Sequence, residues 1–253
     1  MFGMTEPEAI PQPPEPPWRS APRRRSVPRP RLSRDVVVDA ALTVLESEGG
    51  EKLTMRRLAD EIGVSASSLY GYVANKEELI QLVLDRLYAE VSFPPPSGNW
   101  QEWLKEFARA MLDMYRRHPG VAVLTLGRVA VTPSMLSGME EMLGELRSVG
   151  LPDQVAIFVG DLAGLYVGGY AYELEVAPPG DPERFRDQFT GWLRSLPPDQ
   201  FPNLRSLAGT MTAGSAEARF EWGLDVIIRG LASYLDKPPD PAAGWPASES
   251  RSR

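Results

Sequence analysis

Cysteine and histidine are the scarcest reactive residues of this chain: its 253 residues include no cysteine and one histidine, His118. Without cysteine there is no disulfide framework, no thiol nucleophile and no zinc or iron–sulfur site built on thiolates. One histidine argues against a two-histidine metal site and against a Ser/His charge relay. No paired-carboxylate motif or glycine-rich phosphate loop takes their place. We therefore expect no catalytic residue, no metal and no cofactor, and a protein that is not an enzyme.

Long apolar runs and targeting signals are also missing. The most apolar window of membrane-spanning length, residues 155–172, is interrupted by Asp161. The first 18 residues carry acidic side chains and prolines where a signal peptide has a basic start and an apolar run. The sequence thus predicts a cytoplasmic protein that does not bind membranes.

Proline is abundant, and it is concentrated at the two ends of the chain. Nine of the 25 prolines lie in residues 1–30 and four more in residues 237–253. Such segments bury too little apolar surface to offset the entropy lost on ordering. We predict a disordered, Arg-rich arm over residues 1–32 and a disordered tail over residues 237–253.

Between these ends, apolar residues recur at helical spacing, and no stretch alternates as a strand would. Ser33, Thr54, Ser65 and Asn75 are typical N-caps, and Gly63 is typical of a helix end. The stretch 176–210 is the least predictable part. We predict helices from Ser33 to Gly49, and over about 55–62, 66–73, 76–92, 100–118, 135–149, 152–175, 182–196 and 211–235, with a short segment at 121–127.

The second and third predicted helices are too short to be stable alone, so the first and fourth helices must hold them. Two short helices joined by a glycine turn, with another helix behind, form a helix-turn-helix unit. In DNA-binding proteins the second of them enters the major groove. Helical hairpins with a glycine turn are also common elsewhere, so spacing alone leaves both interpretations open.

The segment LTMRRLADEIGVSASSLYGYVANKEEL, residues 53–79, resembles the N-terminal signature of TetR-family transcriptional repressors nearly position for position. The resemblance implies an all-α fold with a three-helix DNA-binding domain, residues 33–79, and a larger ligand-binding and dimerisation domain, residues 80–236. For Tyr70 and Tyr72, packing in the core is an equal alternative. The residues that the resemblance places at DNA are Arg56, Ser65, Ala66, Ser67, Ser68, Tyr70, Gly71, Tyr72 and Lys76.

Charge separates the predicted domain from the arm before it. Residues 33–76 carry five basic and seven acidic side chains, a net charge of −2, whereas residues 17–32 carry six arginines and no acid. A flexible arginine arm suits the minor groove and the phosphate backbone. A solubilising tail and a nuclear-import signal are the alternatives for this segment.

The segments HPGVAVLTLGR, SGMEEMLGELRSVGLPDQVA and LAGLYVGGYAYE resemble the C-terminal domains of the tetracycline-repressor group of the same family. Where that group has a histidine on the drug-bound magnesium, this chain has Thr125, and Glu173 matches a carboxylate that holds the ion through water. Tetracycline–magnesium is therefore not the expected effector. His118, before Pro119, is interpreted as a helix-dipole partner or a surface residue.

Methionine and aromatic residues crowd the middle helices. By default they form core, but such side chains also make adaptable walls for an apolar ligand. The resemblance implies a pocket here that takes a small apolar or amphipathic effector. The candidate ligand-binding residues are Trp103, Phe107, Met111, Thr125, Met135, Met139, Phe158 and Tyr170.

Three glycines recur every fourth residue in helix 152–175, which indicates close approach of another helix. Packing within the monomer would satisfy this pattern, but the resemblance implies a four-helix bundle with a second subunit, built from helices 153–175 and 212–235. A symmetric homodimer also suits two DNA half-sites. The candidate interface residues are Gly160, Gly164, Gly168, Phe220, Leu224, Ile227 and Leu231.

These features together predict a sequence-specific transcriptional regulator that binds a double-stranded DNA operator. We expect a repressor that a small molecule releases from its operator. An activator would share each of these features. The alternative is a dimeric, ligand-binding interaction protein without specific operator binding.

Overall fold

The computed structural model describes residues 32–95, 98–126, 131–176 and 180–236. The predicted tail and nearly all of the predicted arm lie outside these residues. Within the described ranges the chain forms helices and no strand, which confirms the all-α prediction. The α-helices are α1 (Arg34–Glu48), α2 (Met55–Ile62), α3 (Ala66–Leu69), α4 (Lys76–Tyr88), α5 (Trp100–Arg117), α6 (Ala122–Thr125), α7 (Pro133–Ser148), α8 (Asp153–Glu175), α9 (Pro182–Ser195), α10 (Pro202–Met211) and α11 (Ala216–Asp236).

The predicted N-caps of the first four helices are confirmed. The side chains of Ser33, Thr54, Ser65 and Asn75 each accept a hydrogen bond from the backbone N–H three residues further on. Each bond satisfies a donor that the helix leaves unpaired at its start. Gly63 ends α2 in the left-handed conformation, at φ 76°.

Two of the predicted helices are shorter than expected. The helix predicted over 66–73 has four residues, because the carbonyl of Leu69 accepts from both Tyr72 and Val73 and the chain then turns. Serine and glycine in this segment are poor helix formers. The prediction that α4 extends to about Ser92 is wrong as well: its regular turns end at Tyr88, and the amides of Glu90 and Val91 bond carbonyls three residues back. This tighter winding precedes Phe93-Pro94, where the helical conformation is disfavoured.

A helix that the sequence analysis left unassigned, α10, occupies residues Pro202–Met211. It begins with proline in its first turn, a favourable position for a residue without an N–H. Gly214, at φ 84°, then interrupts the helical conformation, and the side chain of Ser215 accepts a hydrogen bond from the amide of Ala218. The last helix therefore starts at Ala216 and not near Met211.

The hydrophobic core has two parts. The first joins α1 to α4 with α6 and with parts of α5, α8 and α11. The second joins α5, α7, α8 and α11. The first part crosses the predicted boundary at residues 79 and 80, because Val83, Leu84 and Leu87 of α4 pack with the core of the N-terminal helices. Helix α4 is thus shared by both halves of the chain.

Helix α8 is the most apolar element. It is the one helix within the described residues that is long and apolar enough to cross a membrane. It packs, however, against α5, α6, α7 and α11, with residues such as Val159 and Val167 buried. We interpret α8 as a core helix.

Candidate functional site

Helix α3 is buried on the side of Leu69 and exposed to solvent on the opposite side. Leu58 of α2 and Leu69 of α3 are fully buried, and they anchor the pair of short helices on α1 and α4. On the outer side Tyr70 is 55% exposed, so its ring is not part of the core. Tyr72 is only partly buried and packs against the core, so the structural alternative holds in part for this residue.

The predicted DNA-contacting residues belong to α2, to α3 with its flanking residues and to the start of α4, which together we call the DNA-binding surface. Arg56, Ser67, Ser68 and Gly71 are exposed there, whereas Ala66 and Lys76 are half-buried. Since glycine and serine have short side chains, the backbone of α3 can approach a groove closely. The first long exposed side chain in this region is that of Tyr70, which directly follows α3.

The serine hydroxyl groups at the start of α3 are hydrogen-bonded to one another. The hydroxyl of Ser65 lies 2.8 Å from the hydroxyls of both Ser67 and Ser68, and it also accepts from the amide of Ser68. These bonds fix the rotamers of the serines in the free protein. A base that bonds Ser67 or Ser68 has to fit this arrangement or break it.

The basic residues of this region have different partners. The guanidinium of Arg57 bonds Glu48 and Glu61, and these hydrogen bonds raise its pKa further above the ordinary range. Arg34 donates to the carbonyl of Tyr72 and bonds Glu78, which steadies the end of α3. No ion pair to Arg56 or Lys76 is formed within the described parts of the chain, so both can face phosphate.

A tight junction connects the N-terminal helices to the rest of the chain. Gly120, at φ 85°, lies against the carbonyl oxygen of Leu45, where any Cβ would collide. His118, interpreted from the sequence as a dipole partner or surface residue, ends α5 and contacts two carboxylates. Its Nδ1 lies 2.8 Å from Glu46 of α1, and its Nε2 lies 3.0 Å from Glu90 after α4.

The predicted ligand-binding residues differ in their burial and in their contacts. Trp103 is buried, Phe107 stacks on it, and Tyr170 packs on Phe220 with a buried hydroxyl that has no partner among the described residues. Met111, Met135 and Met139 are half-buried. Phe158 is 43% exposed, on the outer face of α8.

Thr125 belongs to a chain of hydroxyl groups. It donates to the carbonyl of Ala122 and accepts from Tyr115 at 3.1 Å, and Tyr115 also bonds Tyr88. Burial raises the pKa of both tyrosines, so they stay protonated. Glu173 pairs with Arg219 at the surface, 3.9 Å away. The described residues contain no group of three metal-ligating side chains.

A cleft of about 230 Å³ lies at the ends of α5 and α8. Its lining includes Tyr115, Arg116 and Glu175 but none of the predicted ligand-binding residues. Glu175 accepts from the amide of Ala122 at 3.3 Å, and burial raises its pKa above the ordinary 4.5. The cleft is a second region with polar groups, distinct from the stacked rings around Trp103.

The glycines predicted for a dimer interface differ in what lies next to them. A Cβ on Gly160 would meet Met142 at 2.8 Å, and one on Gly168 would meet Thr125 at 3.6 Å, so both face inward. A Cβ on Gly164 would meet nothing within 4 Å.

Helices α8 and α11 nevertheless present an apolar outer surface. Phe220, Leu224 and Leu231 are at most 7% exposed within the single chain, and Ile227 is half-buried, so these residues face inward. They share one helical stripe of α11, and that stripe packs on α5 and α8 of the same chain. The outer surface, which we call the α8–α11 face, consists of Ile157, Phe158, Leu162, Leu165, Tyr172, Trp222 and Val226.

Comparisons with known proteins cover both halves of the chain. Residues 37–83 match the family model described as bacterial regulatory proteins, tetR family. Residues 94–235 match the model of the tetracyclin repressor-like C-terminal domain. The HTH-type transcriptional repressor DrrR1 of Streptomyces coeruleorubidus is 34% identical over 223 residues, which are 85% of this chain and 82% of that protein.

Two further relatives are informative. Tetracycline repressor protein class E of Escherichia coli is 29% identical over 210 residues, 82% of this chain and 94% of that protein. The crystal structure of the TetR family protein ActR of Streptomyces coelicolor, in complex with actinorhodin, has 39% sequence identity and a TM-score of 0.75. It covers 83% of this chain and 100% of ActR. This chain belongs to the TetR family of transcriptional regulators, with a tetracycline-repressor-like C-terminal domain.

Proposed function

We propose that the protein represses its target genes by binding an operator as a homodimer, and that an aromatic effector bound in the C-terminal domain releases it. The exposed outer side of α3 over a fully buried Leu69 carries this proposal. Tyr70 and the backbone at Gly71 enter the major groove, while Arg56 and Lys76 bind phosphates. The small side chains of α3 leave Tyr70 as the main base-reading group.

The homodimer is supported by the α8–α11 face. Trp222 is 70% exposed and Leu165 is 56% exposed in the single chain. Large exposed apolar residues clustered on two helices indicate an interaction site, and a symmetric dimer presents two copies of α3 to two half-sites. A second copy therefore covers this face.

The identity of the effector class is supported by the likeness to ActR, whose solved complex contains actinorhodin. The stacked rings of Phe93, Phe107 and Trp103 suit a ligand with flat rings. The protein acts in the cytoplasm without enzymatic activity, and the effector shifts it only through different affinities for two conformations.

The test is salt-titrated binding to a fluorescent duplex from the DNA upstream of its own and the neighbouring gene. Saturable binding should be lost on Tyr70→Ala and on Lys76→Ala. Lys52→Ala is the matched control, because Lys52 is exposed in the short turn after α1 and outside this surface. Equal, salt-labile binding by all variants would favour the alternative, an interaction protein without an operator.

A further inference from the structure

Phe93 lies in a slot between α5 and α7, although it belongs to neither helix. It follows α4 by five residues and precedes Pro94. Its ring stacks on Phe107 with centroids 5.2 Å apart and planes 17° apart, and Phe107 stacks on Trp103 at 5.5 Å and 22°. The three rings form one ladder that starts in the segment between α4 and α5.

The opposite wall of the slot is a glycine. A Cβ added to Gly138 of α7 would lie 2.5 Å from Cζ of Phe93 and within 3.2 Å of both Cε atoms. Glycine in the middle of a helix costs stability, and here it makes room for a ring. The slot is therefore bounded by an aromatic face on α5 and by bare backbone on α7.

The slot holds a carbonyl as well as a ring. Nε1 of the buried Trp103 donates to the carbonyl oxygen of Pro94 at 2.7 Å. The indole N–H is a donor only, so it would need another acceptor if the Phe93-Pro94 segment moved away. Phe93 itself is only half-buried, so its ring can reach solvent without crossing the core.

We propose that Phe93 is an intramolecular plug of the effector site. The effector is a flat aromatic compound with a carbonyl oxygen at its edge: its ring replaces Phe93 between Phe107 and Gly138, and its oxygen replaces that of Pro94 at Trp103. This assignment rests on the proposed function, which it refines by naming the ligand class and the slot.

The plug connects the effector to the DNA-binding surface through α4. Asp85 of α4 accepts from the amide of Ser134 at 2.9 Å, at the start of α7. Phe93, five residues after the end of α4, lies against Gly138 of α7. Because effector and Phe93 exclude each other, binding releases this contact, and α4 begins at Lys76 on the DNA-binding surface.

The first experiment measures probe binding without DNA. Anthraquinone-2-sulfonate is the probe, and anthracene-2-sulfonate is the same flat shape without carbonyls. Calorimetry should give about tenfold tighter binding of anthraquinone-2-sulfonate to Phe93→Ala than to wild type, because the competing ring is gone. In the Phe93→Ala background, Trp103→Phe should remove the preference for the quinone over anthracene-2-sulfonate. If Phe93→Ala bound anthraquinone-2-sulfonate no more tightly than wild type does, the proposal that Phe93 is a plug would be overturned.

Phe93→Leu covers the case in which Phe93→Ala does not fold. Leucine keeps apolar volume but lacks a flat ring, so the probe should still bind several-fold more tightly than to wild type. Both variants are checked by circular dichroism before titration. An unchanged affinity of folded Phe93→Leu counts against the proposal in the same way.

The second experiment expels the plug without a ligand. Gly138→Ala places a methyl where the ring of Phe93 lies, and it should lower ligand-free operator affinity about tenfold and abolish probe binding. Gly144→Ala is the matched control on the same helix, since its Cβ would meet nothing within 4 Å. Equal operator and probe affinities of both variants would overturn the proposal.

The two readouts separate this inference from the proposed function. Probe binding is measured without DNA, so a wild-type protein that binds no operator refutes the repressor and leaves the calorimetric test of the plug intact. Conversely, specific operator binding together with unchanged probe affinity in the Phe93 variants refutes the plug alone.

Discussion

Large apolar residues are buried in the N-terminal helices, whereas on the hairpin of α9 and α10 several of them are exposed. Leu45, Leu58 and Leu79 are 0% exposed, because α1 to α4 cover one another. Helices α9 and α10 pack mainly on each other, and Phe185 and Trp192 stay 54% and 56% exposed. Phe185, Phe189 and Trp192 even form a stacked row along α9.

The difference shows that an amphipathic stripe predicts a helix but does not say what covers it. In the N-terminal helices the cover is another part of the same chain. On α9, on α10 and on the α8–α11 face the described residues supply no cover for the exposed side chains, which is expected where a second copy supplies it. The following predictions test this contrast, from the largest expected effect to the smallest.

The largest effect is expected from a charge on the α8–α11 face. Leu165→Arg should convert the dimer to monomers, since a charge cannot be buried without a partner. Operator affinity should then fall by about a hundredfold or more, because one half-site contact is lost. Analytical ultracentrifugation and the duplex assay measure the two effects.

Leu136→Arg is the control for Leu165→Arg. Leu136 of α7 is 51% exposed, close to the 56% of Leu165, but it lies off the α8–α11 face. If both variants dimerise alike, α8 and α11 do not form the interface.

The next effect compares two apolar truncations. Leu58→Ala should cost about 2–5 kcal/mol of unfolding free energy, because it leaves a cavity under α2 and α3. Trp192→Ala should cost less than about 1 kcal/mol at concentrations where the chain is monomeric, since its ring is largely exposed. Urea denaturation gives both values. A loss at Trp192 as large as at Leu58 would mean that α9 is covered within the monomer.

A smaller effect on the unfolding free energy is expected at the junction between the two halves, where a second glycine serves as the control. Gly120→Ala should cost about 2–4 kcal/mol, since both a positive φ and a clash with Leu45 oppose a side chain. Gly49→Ala shares the positive φ, 86°, but has nothing within 4 Å of the new Cβ, so about 1 kcal/mol is expected. Equal losses would contradict a tight junction.

The smallest effects concern the pH dependence of the unfolding free energy, to which two glutamates contribute in opposite directions. Bonds from Arg109 lower the pKa of Glu221 below its ordinary 4.5, so its stabilisation is present above pH 4.5 and is lost as pH falls through the lowered pKa. Burial raises the pKa of Glu175, so the folded state loses stability as pH rises above 4.5 through the raised pKa.

Glutamine variants separate these two contributions. Relative to wild type, Glu221→Gln should be less stable above pH 4.5, with the gap closing at lower pH. Glu175→Gln should gain relative stability as pH rises, because it keeps an acceptor for the amide of Ala122 without a charge. Urea titrations between about pH 3.5 and 7 measure both. Parallel curves for the two variants would show that burial does not dominate at Glu175.

Local features of the fold could be predicted well. The caps at Ser33, Thr54, Ser65 and Asn75 are confirmed because each depends on a hydrogen bond to an amide three residues away. Helix α10 was missed because its start signal, Pro202, lies in a proline-rich stretch that resembles a loop. Of the site, the exposed surface of α3 followed from the family signature.

The residues of the C-terminal half could be predicted only in part. Helix α8 is apolar on two faces, so its sequence does not say that Val159 faces inward and Phe158 outward. The same ambiguity led to the prediction of Phe220 and Leu224 of α11 as interface residues, whereas both are buried within the single chain. A periodicity determines which residues share a face, not which neighbour that face meets.

By itself, therefore, the sequence determined most of the helices, the starts of the first four and membership of the TetR family, because these depend on short-range bonds and on a contiguous signature. Only the tertiary structure decided where distant segments meet. It placed His118 between Glu46 and Glu90, set Gly120 against Leu45 and inserted Phe93 between Phe107 and Gly138. These contacts join residues that are far apart along the chain, and no local pattern encodes how their helices pack together.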